Sequence, residues 1–114
     1  MPLKVNWEGV FPAIPTQFKE DLSIDIEATQ KHTEALLNNG IHGIVMLGTI
    51  GEGTSLTLSE KVEVLRATVE VAGGKVPVLS GVAEFTTQGA CDTVKAAGEA
   101  GVDGIMLLPA MVYN

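Results

Sequence analysis

The stretch Gly43-Ile44-Val45-Met46-Leu47-Gly48-Thr49-Ile50-Gly51-Glu52 decides how this chain is read. An apolar run of this length, bounded by glycine, is the pattern of a short strand buried on both faces. Gly48 and Gly51 then let the backbone turn tightly and come close to whatever lies above the strand end. In parallel α/β architectures, ligands bind at that carboxyl end. Fold and chemistry are therefore expected at one junction.

The flanking sequence extends the pattern. Gly9 to Thr16 is apolar, and Pro12 and Pro15 argue for an extended stretch. Residues 24–39 have helical spacing, with Ile26, Thr29, Thr33, Leu36 and Leu37 on one face. Asp25 is the expected N-cap, and Asn39-Gly40 the stop. Downstream, Thr57-Leu58-Ser59-Glu60 has the T-x-x-E form of a capping box. It opens a helix over about Leu58 to Val71, with Val62, Leu65, Val69 and Ala72 inward and Gly73-Gly74 at the end. Val76 to Gly81 reads as a third strand. Residues 87–99 read as a third helix with Ala90, Cys91, Val94 and Ala97 inward. Gly104 to Leu108 reads as a fourth strand, ended by Pro109.

The expected order is thus βαβαβαβ. Gly40-Ile41-His42-Gly43-Ile44-Val45-Met46-Leu47 also resembles Gly101-Val102-Asp103-Gly104-Ile105-Met106-Leu107-Leu108, so one helix-to-strand junction occurs twice. Sequential parallel strands give either an open doubly wound sheet or a (β/α)₈ barrel, which typically needs about 250 residues. The 114 residues supply roughly the first four strands and three helices of such a barrel, and stop at Tyr113-Asn114, just after a strand. The expectation is that residues 1–114 form the N-terminal half of a single (β/α)₈ TIM barrel domain.

Composition narrows the partners. The chain is 46% hydrophobic but 4% aromatic, so its core must be aliphatic. The formal charge of −7, without a basic stripe, speaks against nucleic acid and anionic membranes. No signal-like start and no membrane-length apolar run is present, so a cytoplasmic protein is expected. Cys91 is the one cysteine, which excludes an internal disulfide; it reads as a small buried hydrophobe.

On spacing alone, Gly48 to Gly53 is neither a dinucleotide fingerprint nor a P-loop. It offers a hydroxyl and backbone N–H groups, which suits a carboxylate or carbonyl oxygen. A plain tight turn with Thr49 capping itself fits the spacing as well or better. Glu52 is expected to bond backbone N–H groups in that turn. His32 and His42 have no second ligand at metal spacing, so no metal is expected. Trp7 is expected to pack under the floor of the barrel.

Gly48-Thr49-Ile50-Gly51-Glu52, followed by Leu58-Ser59-Glu60, resembles the signature of the dihydrodipicolinate synthase / N-acetylneuraminate lyase family. Gly9 to Thr16, Val76 to Val82, and Ala100 to Pro109 with Tyr113-Asn114 resemble that family's first, third and fourth strand regions, in order. The resemblance implies a (β/α)₈ enzyme of the class I aldolase type. A lysine forms a Schiff base with a 2-keto acid such as pyruvate, and no cofactor is needed. It implies a proton-relay role for Thr49 and for Tyr113, the latter reaching a neighbouring subunit. It also implies that Ile50 and Gly51 N–H groups hold the keto-acid carboxylate. A homo-oligomer, dimer or tetramer, goes with it.

Ile50 departs from the family's second hydroxyl, and Gln17 stands where proline is common, which points to a 2-keto acid reaction other than dihydrodipicolinate synthesis. The family's Schiff-base lysine and main catalytic tyrosine come from later strands. Lys31, Lys61 and Lys95 fall on helices, Lys75 at the opposite strand end, and Lys19 beside Glu20 and Asp21. The segment alone is therefore expected to be inactive. Two other readings compete: a non-catalytic truncated half-barrel that self-associates, and a small open flavodoxin-like domain.

Overall fold

A computed structural model describes residues 4–109. Three helices, α1 (Ile26–Leu37), α2 (Leu58–Ala72) and α3 (Thr87–Ala100), alternate with three strands, β1 (Ile44–Met46), β2 (Val78–Val82) and β3 (Gly104–Leu107). The strands form one parallel sheet in the order β1-β2-β3, with Ile44 opposite Val78 and Leu79 opposite Gly104. The expected first strand is not a full strand. It meets β1 through a single parallel bridge, Ala13 to Val45. Pro12 and Pro15 remove two donors from this stretch, which leaves it an interrupted edge. Val45 still gives its N–H to the Pro12 carbonyl and accepts from Ile14 N–H, while Ile44 N–H turns the other way, to Pro77. The extended stretch therefore lies on the edge of β1 opposite β2.

The four parallel segments thus follow one another across the sheet without a reversal. An open doubly wound sheet, and a flavodoxin-like one in particular, needs a reversal at its switch point. A barrel wall does not. α1 packs on α2, α2 on α3, and both α2 and α3 on β2. Ile44, Met46 and Val78 share one core cluster with Val64, Leu65, Ala72 and Ala97 of the helices. By strand alternation Val45 and Leu79 face away from the helices, and they too are buried. On that side Trp7 stacks on Phe11 at 6.3 Å and lies beside Gly104, at the amino end of β3, with two thirds of its surface exposed.

The helix boundaries follow their caps. The Asp25 carboxylate accepts from Ala28 N–H. Thr57 and Glu60 form the full capping box, at 3.2 and 2.8 Å. Thr86 caps α3 by accepting from Gly89 N–H. Gly73 and Gly101, both in the left-handed region, close α2 and α3.

The expected α2 stripe holds and widens, with Val62 and Val69 half-buried against the core, whereas the expected facing of α3 is corrected. α2 buries Lys61, Val64, Ala67 and Thr68 in addition to Leu65 and Ala72, because it has helices on both flanks. α3 buries Thr93, Ala97 and Ala100, while Cys91 and Val94 are exposed. Ala90, Cys91 and Val94 do make an apolar face with Leu107, but no described element covers it. Cys91 is therefore not a buried hydrophobe among the described residues.

Candidate functional site

A cavity of about 70 Å³ opens at the carboxyl ends of all three strands. One wall is Leu47, Gly48, Thr49 and Thr54, all from the segment that follows β1. The second is Gly81, Val82 and Ala83, from β2 and its exit, and Met106 and Leu108 close the third side. Space of roughly 10–15 Å³ holds one water, so a ligand of several heavy atoms fits here.

The first wall is built round the backbone of Leu47. This residue is buried and has a φ of 59°, which leucine rarely adopts. Three glycines accommodate it. A Cβ on Gly53 would run into the Leu47 carbonyl. One on Gly81 would lie 2.6 Å from the same oxygen, and one on Gly51 would lie 2.9 Å from the Leu47 nitrogen. β1 and β2 exits therefore touch backbone to backbone, as side chains at these positions would forbid. The turn then closes on itself: Glu52 N–H donates to the Thr49 carbonyl and Gly53 N–H to the Gly48 carbonyl.

Thr49 lines the cavity. Ile50 is 57% exposed and outside its lining, and Gly51 is buried, its carbonyl accepting from Thr16 Oγ1 at 2.7 Å. Tyr113 lies outside the described residues. Glu52 makes no capping bond with its side chain; it sits exposed in the left-handed region at the start of a 3₁₀ turn, Gly53–Ser55. The expected backbone bond of Glu52 is replaced by a conformational role. His42 is at the opposite strand end, where its Nδ1 accepts from Val10 N–H. Among the described residues, no three His, Cys, Asp or Glu side chains come together as metal ligands, and no helix is long and apolar enough to cross a membrane.

Sequence reasoning missed two features. Thr16 is buried and fastens the first extended stretch to the turn; a threonine directly after Pro15 was its only signal. The second is an ion pair behind the cavity. Lys61 Nζ donates to Glu84 Oε1 at 2.7 Å, and Thr93 Oγ1 donates to the same oxygen at 2.9 Å. Burial alone would raise the Glu84 carboxyl, but the Lys61 and Thr93 bonds outweigh it and hold it below the ordinary glutamate range. Lys61 is thus buried yet engaged by a carboxylate, and it does not line the cavity.

Residues 6–113 match the model of the Dihydrodipicolinate synthetase family. The chain belongs to this family. The 4-hydroxy-tetrahydrodipicolinate synthase of Methanoculleus marisnigri is 42% identical over 104 residues, which are 90% of this chain and 36% of that protein. The crystal structure of a dihydrodipicolinate synthase from Bacillus anthracis matches 91% of this chain and 36% of its own, at 36% identity and a TM-score of 0.85. The Acinetobacter baumannii enzyme, solved with pyruvate, matches 90% of this chain and 35% of its own, at 29% identity and a TM-score of 0.86. This member of the dihydrodipicolinate synthetase family spans about a third of the length of the relatives it matches. Its parallel α/β architecture is that of their TIM barrels, over that third.

Proposed function

We propose that this chain is the N-terminal part of a Schiff-base lyase or synthase acting on a pyruvate-type 2-keto acid. In this reading, a lysine of a later strand attacks the keto carbon, water leaves, and the protonated imine draws electrons from the adjacent bond. Thr49 and Tyr113 pass protons, and the Ile50 and Gly51 N–H groups hold the carboxylate. The observation that carries the reading is Thr49 on the wall of a small cavity where three parallel strands end. The relative from Methanoculleus marisnigri at 42% identity, a named synthase, and the pyruvate in the Acinetobacter baumannii structure support the substrate class. A cytoplasmic homo-oligomer, dimer or tetramer, goes with the same reading.

Borohydride reduction of the full-length protein with pyruvate is expected to give a covalent adduct on a lysine beyond residue 114, and none on the 114-residue chain. No adduct on the full-length protein would sink the proposal. The exposed apolar face of Ala90, Cys91, Val94 and Leu107 favours a second reading, a half-barrel that self-associates without turnover. A compact monomer of the 114-residue chain in sedimentation at high concentration would count against it.

A further inference from the structure

Lys61, Glu84 and Thr93 form a nearly enclosed polar cluster that the proposed chemistry does not use. The Lys61 side chain is 10% exposed and that of Glu84 22%. The cluster joins three elements: Lys61 is in the first turn of α2, Glu84 in the short connection from β2 to α3, and Thr93 within α3. Its relation to the cavity is indirect but close. Glu84 directly follows Ala83, which belongs to the second wall. Lys61 belongs to the helix that the first wall leads into, four residues after the Thr57 cap.

The bond Lys61–Glu84 therefore ties one wall to the other from behind. At the bottom, the spacing of the walls is set by Gly81 against Leu47. The Lys61–Glu84 pair is a second tie between the segments that carry the two walls. A buried ion pair is seldom worth more to stability than well-packed apolar side chains of the same size, because both charges lose their water. Its distinctive property is direction: a 2.7 Å charge-assisted bond fixes a loop where apolar packing lets it slide.

We propose that Lys61 and Glu84, with Thr93, are positioning residues that hold the Ala83 wall at the distance the keto acid requires. This rests on the 2-keto-acid reading of the cavity. The experiment is borohydride trapping of the full-length protein over a range of pyruvate concentrations, with thermal melting in parallel. Two variants are compared with the parent: Lys61→Met/Glu84→Leu, which replaces the pair with apolar groups, and Glu84→Asp, which keeps the charge but shortens the reach. Both are expected to raise half-saturating pyruvate about fivefold or more, since small misplacements weaken alignment steeply. The adduct yield at saturation stays unchanged, because neither residue touches the nucleophile. Half-saturation within about twofold of the parent in whichever variant retains its melting temperature overturns the proposal. A rise that merely follows lost melting temperature in both variants overturns it too. If the parent itself traps no pyruvate, the keto-acid reading fails first, and that failure is distinct.

Discussion

α2 and α3 begin and end alike, and differ in what lies beside them. Each has a threonine cap and each closes on a left-handed glycine. α2 lies between α1 and α3, and buries six side chains along its length. α3, one residue shorter, buries three. Both carry an apolar stripe, so the stripe does not decide burial. The neighbours do. An apolar face shows where a helix can pack, and only the tertiary arrangement shows which of its faces is taken.

The strongest way to break this comparison is to truncate one side chain on each helix. Leu65→Ala, at a site 1% exposed on α2, is expected to cost about 2–5 kcal/mol. Val94→Ala on α3, 37% exposed, is expected to stay within about 0.5 kcal/mol. Denaturant titration of the two variants measures both. Similar losses would mean that the outer face of α3 is as well packed as the flanks of α2.

Glycine replacement gives the next largest contrast. Gly81→Ala places a methyl 2.6 Å from the Leu47 carbonyl, between two backbones that have no flexible end to yield. The expected loss is about 1–3 kcal/mol, with a shift of the wall that carries Thr49. Gly98→Ala on α3 meets nothing within 4 Å, and should gain about 0.5–1 kcal/mol from helix propensity. Equal signs in the two melting shifts would refute the close approach at Leu47.

These residues show what the sequence made legible. The alternation of buried runs with capped helices was readable because each signal is local: Thr57 and Glu60 lie three residues apart, and Gly73 and Gly101 act on their own φ. The location of Thr49 at a strand end was readable for the same reason. Three matters depend on distant partners and were not. Gly53 and Gly81 are forced by Leu47, which no motif connects to Gly81. Lys61 read only as a lysine on a helix, because its partner Glu84 lies 23 residues on. The first extended stretch read as a strand, but two prolines left it a single bridge.

Acid sharpens the same comparison between flanks, because Glu84 is joined to α2 by an ion pair and to α3 by a hydrogen bond. Its carboxyl is held below the ordinary range in the folded state. The pair therefore contributes its full stability above the unfolded glutamate value, about pH 4.3. The contribution is lost as pH falls through the lower folded value, when the carboxylate takes a proton and Lys61 is left buried without a counter-charge. Asp21 is held down too, by bonds from Ser23, so the raw acid slope is shared. The difference between the parent and Lys61→Met/Glu84→Leu isolates the pair: the double variant should lose less stability between neutral pH and pH 3. Parallel curves would show that the pair contributes nothing to the junction.

The smallest energetic effect is expected at Cys91, and it tests the open flank of α3 most directly. Cys91 is exposed beside Ala90 and Val94, so Cys91→Ser should change stability by no more than about 0.5 kcal/mol. Reactivity reads what stability cannot. In the 114-residue chain a thiol reagent should label Cys91 under native conditions as fast as an unhindered thiol. If the polypeptide continues as its threefold longer relatives do, a further helix has the same apolar face to cover, and labelling should slow by at least about tenfold as exposure is lost. Fast labelling of the longer protein would mean that this face stays open. The difference between α2 and α3 would then belong to the longer folded protein itself, and the apolar patch on α3 would need another partner.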